Sequence, residues 1–331
     1  MFGLGREELA DVLILLSNSN DISDFQYKVV HSGNDFSGYN GEKAVLQFDV
    51  TCRGKVQQFR CFVKKMNFGF SEANVYQSIN KCDGPIPQLY CSFITKDNSE
   101  VVFLELLNRV GIHSTEDKVF EQLLNTLAEF NALDLSLVPT YQPAILLEQV
   151  NWLSKVWAAA YIGKVGENLQ AVFENLPAHR HKLSLLYEDV QHTLSSRDLD
   201  VTHHDPADFN LGYDKNDRLV LFDLHYVTAY PRFKDLAQRL GASASPMPES
   251  RAMDEWIAVY LETYNNLKGR DISIETCKTE METLKQAQRL FFSEQCYDEA
   301  LRSFNTGDEQ VQIGYEHWIT MNYHHIVGID V

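Results

Sequence analysis

Residues 201–223 read VTHHDPADFNLGYDKNDRLVLFD, a polar loop followed by two short apolar runs that a polar turn joins. His203 and Asp205 lie in the loop, Asn210 begins the first apolar run, and Asp223 ends the second. The pattern His-x-Asp-x4-Asn arises by chance in roughly a few per cent of chains this long, so it needs support from other motifs. Because a turn joins the two runs, this stretch predicts a β-hairpin with polar residues at its base.

The predicted register of this hairpin brings two polar side chains together. A turn centred between Asn216 and Asp217 pairs Asn210 with Asp223. Directly opposed strand residues have Cβ atoms roughly 4.5–5.5 Å apart. An amide oxygen and a carboxylate at that separation can share a hard, oxygen-liganded cation such as Mg²⁺. We therefore expect Asn210 and Asp223 to bind a metal, with Asp205 just before the hairpin.

The residues before position 107 alternate between apolar and polar as β-strands do, whereas helical periodicity dominates after it. A helix over 6–16 opens the chain, and we predict strands over 26–31, 44–52, 56–66, 88–95 and 101–107, with a short helix over 70–80. The later predicted helices span 116–133, 151–173, 181–194, 254–266, 274–292 and 296–305. The chain therefore divides into a strand-rich part, residues 1–105, and a larger helical part, residues 106–331.

The polar loop and the hairpin resemble the catalytic loop and the magnesium-binding segment of the protein-kinase-like superfamily. The similarity is closest to its small-molecule branch: the aminoglycoside phosphotransferases, the choline and ethanolamine kinases and the ecdysteroid-kinase-like proteins. That branch typically shows H-G-D-x-x-x-x-N and then an apolar strand that ends in Asp. The resemblance implies that Asp205 is the catalytic base and that His203 braces the loop. It also implies that Asn210 and Asp223 bind Mg²⁺, and that Asp235, in the sequence Asp-Leu-Ala, holds the loop by hydrogen bonds.

Motifs in the strand-rich part are similar to the nucleotide-binding half of the same branch. The sequence FVK at 62–64 resembles the end of the third strand, where a lysine binds nucleotide phosphates. We choose Lys64 for this role and keep Lys65 as the alternative, because a shift of one residue exchanges the two faces of a strand. Glu72, which begins EANVY, resembles the helix glutamate that pairs with this lysine.

Two further segments resemble parts of the nucleotide site. The run VVFLELL at 101–107 looks like the hinge strand whose backbone receives adenine, so Glu105 and Leu107 are candidate nucleotide-binding residues. The glycine-containing connection at 32–41 resembles a phosphate-covering loop, of which Gly38 is the candidate residue.

The chain departs from the pattern of the branch at several positions. LAEFNAL at 127–133 is similar to the L-A-x-L-H-A-L helix, but Asn131 stands where histidine is usual. His204 replaces the glycine of H-G-D, and the residues at 206–209 differ from the common L-H-P-G. The glycines of the 32–41 connection do not form a regular G-x-G-x-x-G pattern.

These motifs cover about residues 25–240 and imply an α+β, two-lobed protein-kinase-like fold, with a small antiparallel-sheet N-lobe and a larger helical C-lobe. The implied activity is transfer of the γ-phosphate of ATP, with Mg²⁺, to a hydroxyl group of a small molecule. Two alternatives remain open: a nucleotide-binding pseudokinase with a regulatory role, and protein phosphorylation or nucleotidyl transfer on the same scaffold. The acceptor also remains open among aminoglycosides, choline-like amines, sugars and steroid alcohols.

Charge and cysteine content narrow the classes of partner and compartment. A formal charge of -17 argues against a nucleic-acid partner, because phosphate backbones attract basic surfaces. Acidic residues outnumber basic ones after residue 249, which favours a cationic or neutral acceptor over an anionic one. The 6 cysteines include no C-x-x-C pair, as expected for free thiols in a reducing cytoplasm. No secretory signal or membrane-length apolar run is visible, so we expect a cytoplasmic protein without a membrane partner.

Overall fold

The computed structural model describes residues 2–17, 19–32, 42–52, 54–66, 72–109, 112–139, 192–242 and 247–285. The predicted helices 151–173 and 296–305, most of 181–194, and Gly38 lie outside these ranges. The predicted helix 274–292 is helical over its described part, residues 274–285. In the described parts of the chain, no helix has the length and apolar character needed to cross a bilayer.

A five-stranded antiparallel sheet with the order β1-β2-β3-β5-β4 forms the strand-rich part. Its strands are β1 (Ile22–Ser32), β2 (Glu42–Cys52), β3 (Lys55–Met66), β4 (Leu89–Ile94) and β5 (Glu100–Glu105). Helix α1 (Arg6–Ser17) shares a buried core with this sheet, to which Val12, Leu13, Phe48, Val63 and Phe103 contribute. All five predicted strands are confirmed, although β1 begins four residues before the predicted residue 26.

A tight turn fixes the register between the two longest neighbouring strands. Cys52 pairs with Lys55, so two residues form the turn, and Gly54 adopts a φ of 72° there. Two-residue hairpin turns favour glycine because they require a left-handed backbone. Followed along the ladder, this register places Lys43 of β2 directly opposite Lys64 of β3.

The described helices follow the predicted pattern closely. Besides α1 and the helix at 274–285, they include α2 (Glu72–Asn80), α3 (Asp117–Asn131), the short α4 (Lys234–Ala237) and α5 (Met253–Lys268). Helix α3 buries the apolar face that its periodicity predicts, including Phe120, Leu123, Leu127 and Phe130. It packs against α5, where the ring centroids of Phe120 and Trp256 lie 5.0 Å apart in an edge-to-face arrangement.

The hairpin of the opening motif exists, but its predicted register is wrong by one residue. Strand β7 (Leu211–Tyr213) pairs with β8 (Leu219–Leu221) so that Leu211 opposes Leu221. Continued outward, this register sets Asn210 opposite Phe222, and the Phe222 N–H donates to the Asn210 carbonyl at 3.0 Å. Asp223 therefore lies one position beyond the residue that faces Asn210.

The register differs because three residues form the turn, whereas the prediction assumed a turn with an even number of residues, centred between Asn216 and Asp217. Asp214 pairs with Arg218 through a backbone bond of 3.0 Å from the Asp214 N–H to the Arg218 carbonyl. The Asp214 carboxylate accepts from the N–H groups of Asn216 and Arg218, and Asp217 has a φ of 58°. Three-residue hairpin loops commonly combine a turn with one left-handed residue, and aspartate tolerates that conformation better than most residues.

The chain separates into two compact units. The first comprises residues 1–139, 201–228 and 245–270, and it contains the five-stranded sheet, α2, α3, the β7–β8 hairpin and α5. The second comprises residues 140–200, 229–244 and 271–331. In the second unit, Arg232 forms a salt bridge with Glu280 and another with Asp198. The remaining short strands are β6 (Leu199–Thr202) and β9 (Thr228–Pro231).

Candidate active site

A buried ion-pair network joins the sheet, helix α2 and the end of the hairpin. The Lys64 ammonium donates to Glu72 Oε2 at 2.8 Å and also to Asp223 Oδ1, 159 residues away in sequence. The Lys64 and Glu72 side chains are 2% and 0% exposed. A buried charge requires a partner, so these three side chains hold one another in place.

Helix α2 fixes the backbone at Asp223 as well as the Lys64 ammonium. Glu72 and Tyr76 are four residues apart and so lie on one face of the helix. Glu72 Oε1 accepts from the Leu224 N–H at 2.8 Å, and the Tyr76 hydroxyl accepts from the Asp223 N–H at 3.2 Å. Asp223 has a φ of 67°, a left-handed conformation that costs an ordinary residue about 1–2 kcal/mol. The two hydrogen bonds from α2 stabilise that conformation.

The predicted catalytic loop is closed by contacts among its own members. Asn210 Nδ2 donates to both the carbonyl and the carboxylate Oδ2 of Asp205, each at 2.9 Å. His203 is fully buried, and its Nε2 lies 3.0 Å from the Phe222 carbonyl. Because a carbonyl only accepts, Nε2 is the donor, which leaves His203 Nδ1 to accept from the Asp205 N–H at 3.3 Å. His203 therefore links the Phe222 carbonyl to the backbone N–H of Asp205.

The two aspartates have opposite electrostatic environments. Burial raises the pKa of Asp205, although His203 and the hydrogen bond from Asn210 oppose the shift. Burial acts in the same direction on Asp223, but the His225 hydrogen bond and the Lys64 charge outweigh it and hold the pKa of Asp223 well below its usual range. Asp223 is therefore a permanent anion near neutral pH, whereas Asp205 binds a proton more readily than an ordinary aspartate.

His204 occupies a position with a demanding backbone conformation. Its φ is 70°, in the left-handed region that glycine adopts without steric cost. Histidine is among the residues that enter this region more often than most. The His204 Nε2 lies 2.9 Å from the Thr228 hydroxyl. His204 thus adopts a conformation that glycine, the usual residue of the H-G-D pattern, would adopt without steric cost.

Asn131, the other departure noted in the sequence, connects three elements of the first unit. Its Nδ2 donates to the Val201 carbonyl at 2.8 Å, and its Oδ1 accepts from the Tyr260 hydroxyl at 2.9 Å. The side chain is 1% exposed. The asparagine therefore ties α3 to α5 and to the strand that leads into the catalytic loop.

The predicted hinge residues lie where β5 leaves the sheet. The Glu105 carboxylate accepts from the N–H groups of Gln88 at 3.2 Å and Lys215 at 2.9 Å, so its side chain binds backbone of the protein itself. Leu107 packs on Gly212 of β7, where an added Cβ would lie 2.6 Å from the Leu107 Cβ. The Glu105 carboxylate and the Leu107 side chain are therefore both engaged in contacts within the protein.

The donor atoms present suit a nucleotide-bound Mg²⁺. The two bonds from Asn210 Nδ2 to Asp205 leave the amide oxygen on the opposite side of the group, and Asp223 supplies a carboxylate. In the described ranges no group of three or more His, Cys, Asp or Glu could hold a metal by itself. Mg²⁺ commonly takes only one or two protein ligands and completes its shell with phosphate oxygens and water. The residues thus fit a metal that arrives with a nucleotide.

Two neighbours of Asp223 were not among the predicted site residues. His225 Nδ1 donates to Asp223 Oδ1 at 2.7 Å, and Lys43 Nζ lies 3.8 Å from Asp223 Oδ2. Burial lowers the pKa of Lys43, Asp223 opposes that shift, and Lys64 adds to it. The signal for Lys43 was present in the sequence, since the turn after Cys52 fixes the register that sets it opposite Lys64.

Lys65, Asp235 and Gly38 were also named as alternative or predicted site residues. Lys65 forms a salt bridge with Asp97 at 2.8 Å, and its side chain is 13% exposed, whereas the Lys64 side chain is 2% exposed. The lysine chosen from the motif is therefore the more buried of the two. Asp235 lies in the second unit, fully buried in α4. Gly38 is outside the described residues.

Comparison with known proteins finds similarity in structure but no significant match in sequence. The sequence matches no protein-family model, and no curated protein matches it significantly. Among solved structures, an ethanolamine kinase of Plasmodium vivax has a TM-score of 0.57 at 13% identity, covering 96% of this chain and 87% of that one. A choline kinase of Cryptosporidium parvum has a TM-score of 0.52 at 11% identity, covering 98% and 95%. Spectinomycin phosphotransferase, solved with ADP and spectinomycin, has a TM-score of 0.52 at 10% identity, covering 98% of each chain.

These likenesses extend over nearly the whole chain and confirm the predicted fold. The protein has the α+β, two-lobed protein-kinase-like fold. Because identities of 10–13% show a fold and not an activity, the chemistry rests on the residues described above.

Proposed function

We propose that this protein is a kinase that transfers the γ-phosphate of ATP to a hydroxyl group of a small molecule. One observation supports this proposal above the others: the Lys64 ammonium binds Glu72 and Asp223 together, with Tyr76 and Glu72 also holding the backbone at Asp223. A lysine on a strand, a glutamate on a helix and an aspartate after a hairpin form the arrangement that kinase-like phosphoryl transfer requires.

We assign nucleotide binding to residues 1–105 and catalysis and acceptor binding to residues 106–331. ATP and an alcohol are the substrates, and Mg²⁺ is the expected metal. The solved structures with the same fold include an ethanolamine kinase, a choline kinase and a spectinomycin phosphotransferase bound to ADP, all of which act on small molecules. The 5 described cysteines are free, which agrees with a reducing cytoplasm.

In the proposed mechanism Asp205 orients the acceptor hydroxyl and takes its proton. The alcohol oxygen forms a bond to the γ-phosphorus while the bond from that phosphorus to the β-γ bridging oxygen breaks, and ADP leaves. Asn210 holds the Asp205 carboxylate through the 2.9 Å bond from Nδ2 to Oδ2, and His203 holds the backbone of the loop. Most of the rate enhancement comes from positioning and from neutralising phosphate charge, as is general for this reaction.

The roles of the charged residues follow from their contacts. Mg²⁺, when bound by Asn210 and Asp223, would neutralise charge on the phosphates. Lys64 would then exchange its contact with Asp223 for a phosphate oxygen while it keeps its 2.8 Å contact with Glu72. The low pKa of Asp223 keeps that carboxylate ionised near neutral pH.

The test of the activity is an ADP-release screen of the purified protein with ATP, Mg²⁺ and a panel of alcohols. We expect at least one alcohol to stimulate ADP release, and Asp205→Asn to slow that turnover by about 10²–10⁴-fold, because general-base assistance contributes that much. Asp208→Asn, in the same loop, is the matched control. Release of pyrophosphate would indicate nucleotidyl transfer, and labelled protein would indicate a protein kinase. Nucleotide binding without turnover of any alcohol would favour a pseudokinase.

The metal assignment has a separate test that does not depend on the acceptor. Calorimetry with ATP and Mg²⁺ should show binding that weakens after EDTA is added and in Asp223→Ala. Asp49→Ala, at an exposed position of β2, should bind as the wild type does. An ATP affinity that stays unchanged both after EDTA is added and in Asp223→Ala would contradict a metal at this site.

A further inference from the structure

Two lysines oppose each other across the centre of the candidate site. Lys43 and Lys64 are directly paired in the β2–β3 ladder, and their side chains are only 10% and 2% exposed. Like charges at directly opposed positions of a sheet destabilise it, and burial increases the cost because water no longer screens the repulsion. Such a pair persists only where anions lie close to both ammonium groups.

In the structure those anions are Glu72 and Asp223, and Asp223 lies between the two lysines. Its Oδ1 accepts from Lys64, and its Oδ2 lies 3.8 Å from the Lys43 Nζ. The two ammonium groups and the two carboxylates cancel in formal charge. A divalent metal on Asp223 would remove this balance and leave the cluster cationic.

The two lysines differ in what they retain when Asp223 binds a metal. Lys64 keeps its 2.8 Å contact with Glu72. Within the described residues, Asp223 is the carboxylate that lies within ion-pair distance of Lys43. The 3.8 Å between Lys43 Nζ and Asp223 Oδ2 is too long for a hydrogen bond. Lys43 would therefore lose its anionic partner when Asp223 binds a metal. The phosphate groups that bind together with the metal are anions that can replace that partner.

We propose that Lys43 binds a phosphate oxygen of the nucleotide, as a second phosphate-binding lysine beside Lys64. This inference rests on the proposed function, because it requires that a nucleotide binds with its metal at Asp223. Lys43 would then contribute to nucleotide affinity through the phosphates and not through adenine. Lys43 is the second residue of β2, so this role requires its side chain, and not the strand pairing, to move toward a phosphate.

The experiment measures dissociation constants of ATP, ADP and adenosine by calorimetry in the presence of Mg²⁺. Lys43→Met should weaken ATP and ADP binding about 10- to 100-fold, the usual size of one charge-assisted hydrogen bond, and leave adenosine binding unchanged. Lys43→Arg retains the charge and should lose less. Lys65→Met is the matched control, because Lys65 directly follows Lys64 in β3 and forms a salt bridge with Asp97.

The outcomes separate this inference from the proposed function. A wild type that binds neither ATP nor ADP overturns both. A wild type that binds ATP, with Lys43→Met within twofold of it, overturns only the role of Lys43. Equal losses for ATP and adenosine also overturn it, because they indicate damage to the whole site. Lys43→Gln, which keeps a polar side chain of similar length, provides the same comparison if the methionine variant does not fold.

Discussion

Asp223 occupies a left-handed backbone position although it is not glycine, the residue that adopts this conformation without steric cost. What holds it there is helix α2, through the Tyr76 hydroxyl and the Glu72 carboxylate. Strain at a functional residue persists only where the surroundings over-determine it. The same Glu72 also binds Lys64, so one buried glutamate sets both the direction of the lysine and the backbone of the aspartate.

The raised pKa of Asp205 predicts a pH dependence of turnover. A general base must be deprotonated, so the rate falls as the pH drops through the pKa of Asp205. Burial raises that pKa, and the acid limb of the kcat/KM profile should therefore lie above the value of about 3.9 found for an ordinary aspartate. The measurement is kcat/KM against pH with the best acceptor, with circular dichroism recorded at each pH to verify folding. A folded enzyme whose rate stays constant down to about pH 4 would contradict the assignment.

At the scale of secondary-structure elements, Asn131 is the point where α3, α5 and the strand before the catalytic loop are joined. Its amide has a partner on each side, the Val201 carbonyl and the Tyr260 hydroxyl. Leaving a buried polar group unsatisfied costs about 1–3 kcal/mol. Asn131→Ala removes both hydrogen bonds, so we expect a loss of about 3 kcal/mol in the free energy of unfolding, measured by urea denaturation.

Two further variants test this explanation. Tyr260→Phe removes one of the two bonds and should cost about half as much as Asn131→Ala. Thr263→Val is the control, because the Thr263 hydroxyl also bonds from α5 to α3, at Asn125, but in a part-buried position. A Thr263→Val loss as large as that of Asn131→Ala would show that general contact between the helices, and not the buried amide, carries the stability.

Elements with strong periodicity could be predicted from sequence, and those set by backbone contacts could not. The apolar face of α3 and the strands β2 and β3 agree with prediction within two residues. The hairpin register was wrong because the Asp214 side chain binds two backbone N–H groups and creates a three-residue turn, which no pattern of apolar residues encodes. The left-handed backbone of Asp223 could not be predicted either, because it depends on a hydrogen bond to a helix residue 147 positions earlier in the sequence.

The residues of the candidate site divide in the same way. Lys64, Glu72, Asn210 and Asp205 were chosen from motifs, and the structure brings Lys64 to Glu72 and Asn210 to Asp205. Lys43 was missed because no motif marks it, and its importance appears only when the strand register is combined with the position of Asp223.

At the scale of the whole molecule, the surface charge bears on the choice of acceptor. The formal charge of -17 creates a negative field around the protein. Described acidic residues such as Asp254, Glu255 and Glu262 lie on α5 within the first unit, and acidic residues continue to outnumber basic ones toward the C-terminus. Carboxylates near a cleft raise the local concentration of cations and repel anions. We therefore expect amino-alcohols or neutral alcohols to be better acceptors than hydroxy acids.

Salt dependence distinguishes this field from direct contacts in the acceptor site. Charge-based selectivity should weaken as salt is added, because the Debye length falls from about 30 Å at 0.01 M to about 8 Å at 0.15 M ionic strength. The measurement is kcat/KM for matched amino-alcohols, neutral sugars or sterols, and hydroxy acids at these two ionic strengths, with the ATP concentration saturating. A neutral alcohol in the panel is the internal control, since its kcat/KM should change little with salt. A preference for hydroxy acids that persists at low salt would contradict the prediction, because contacts in the acceptor site would then outweigh the field of the surrounding carboxylates.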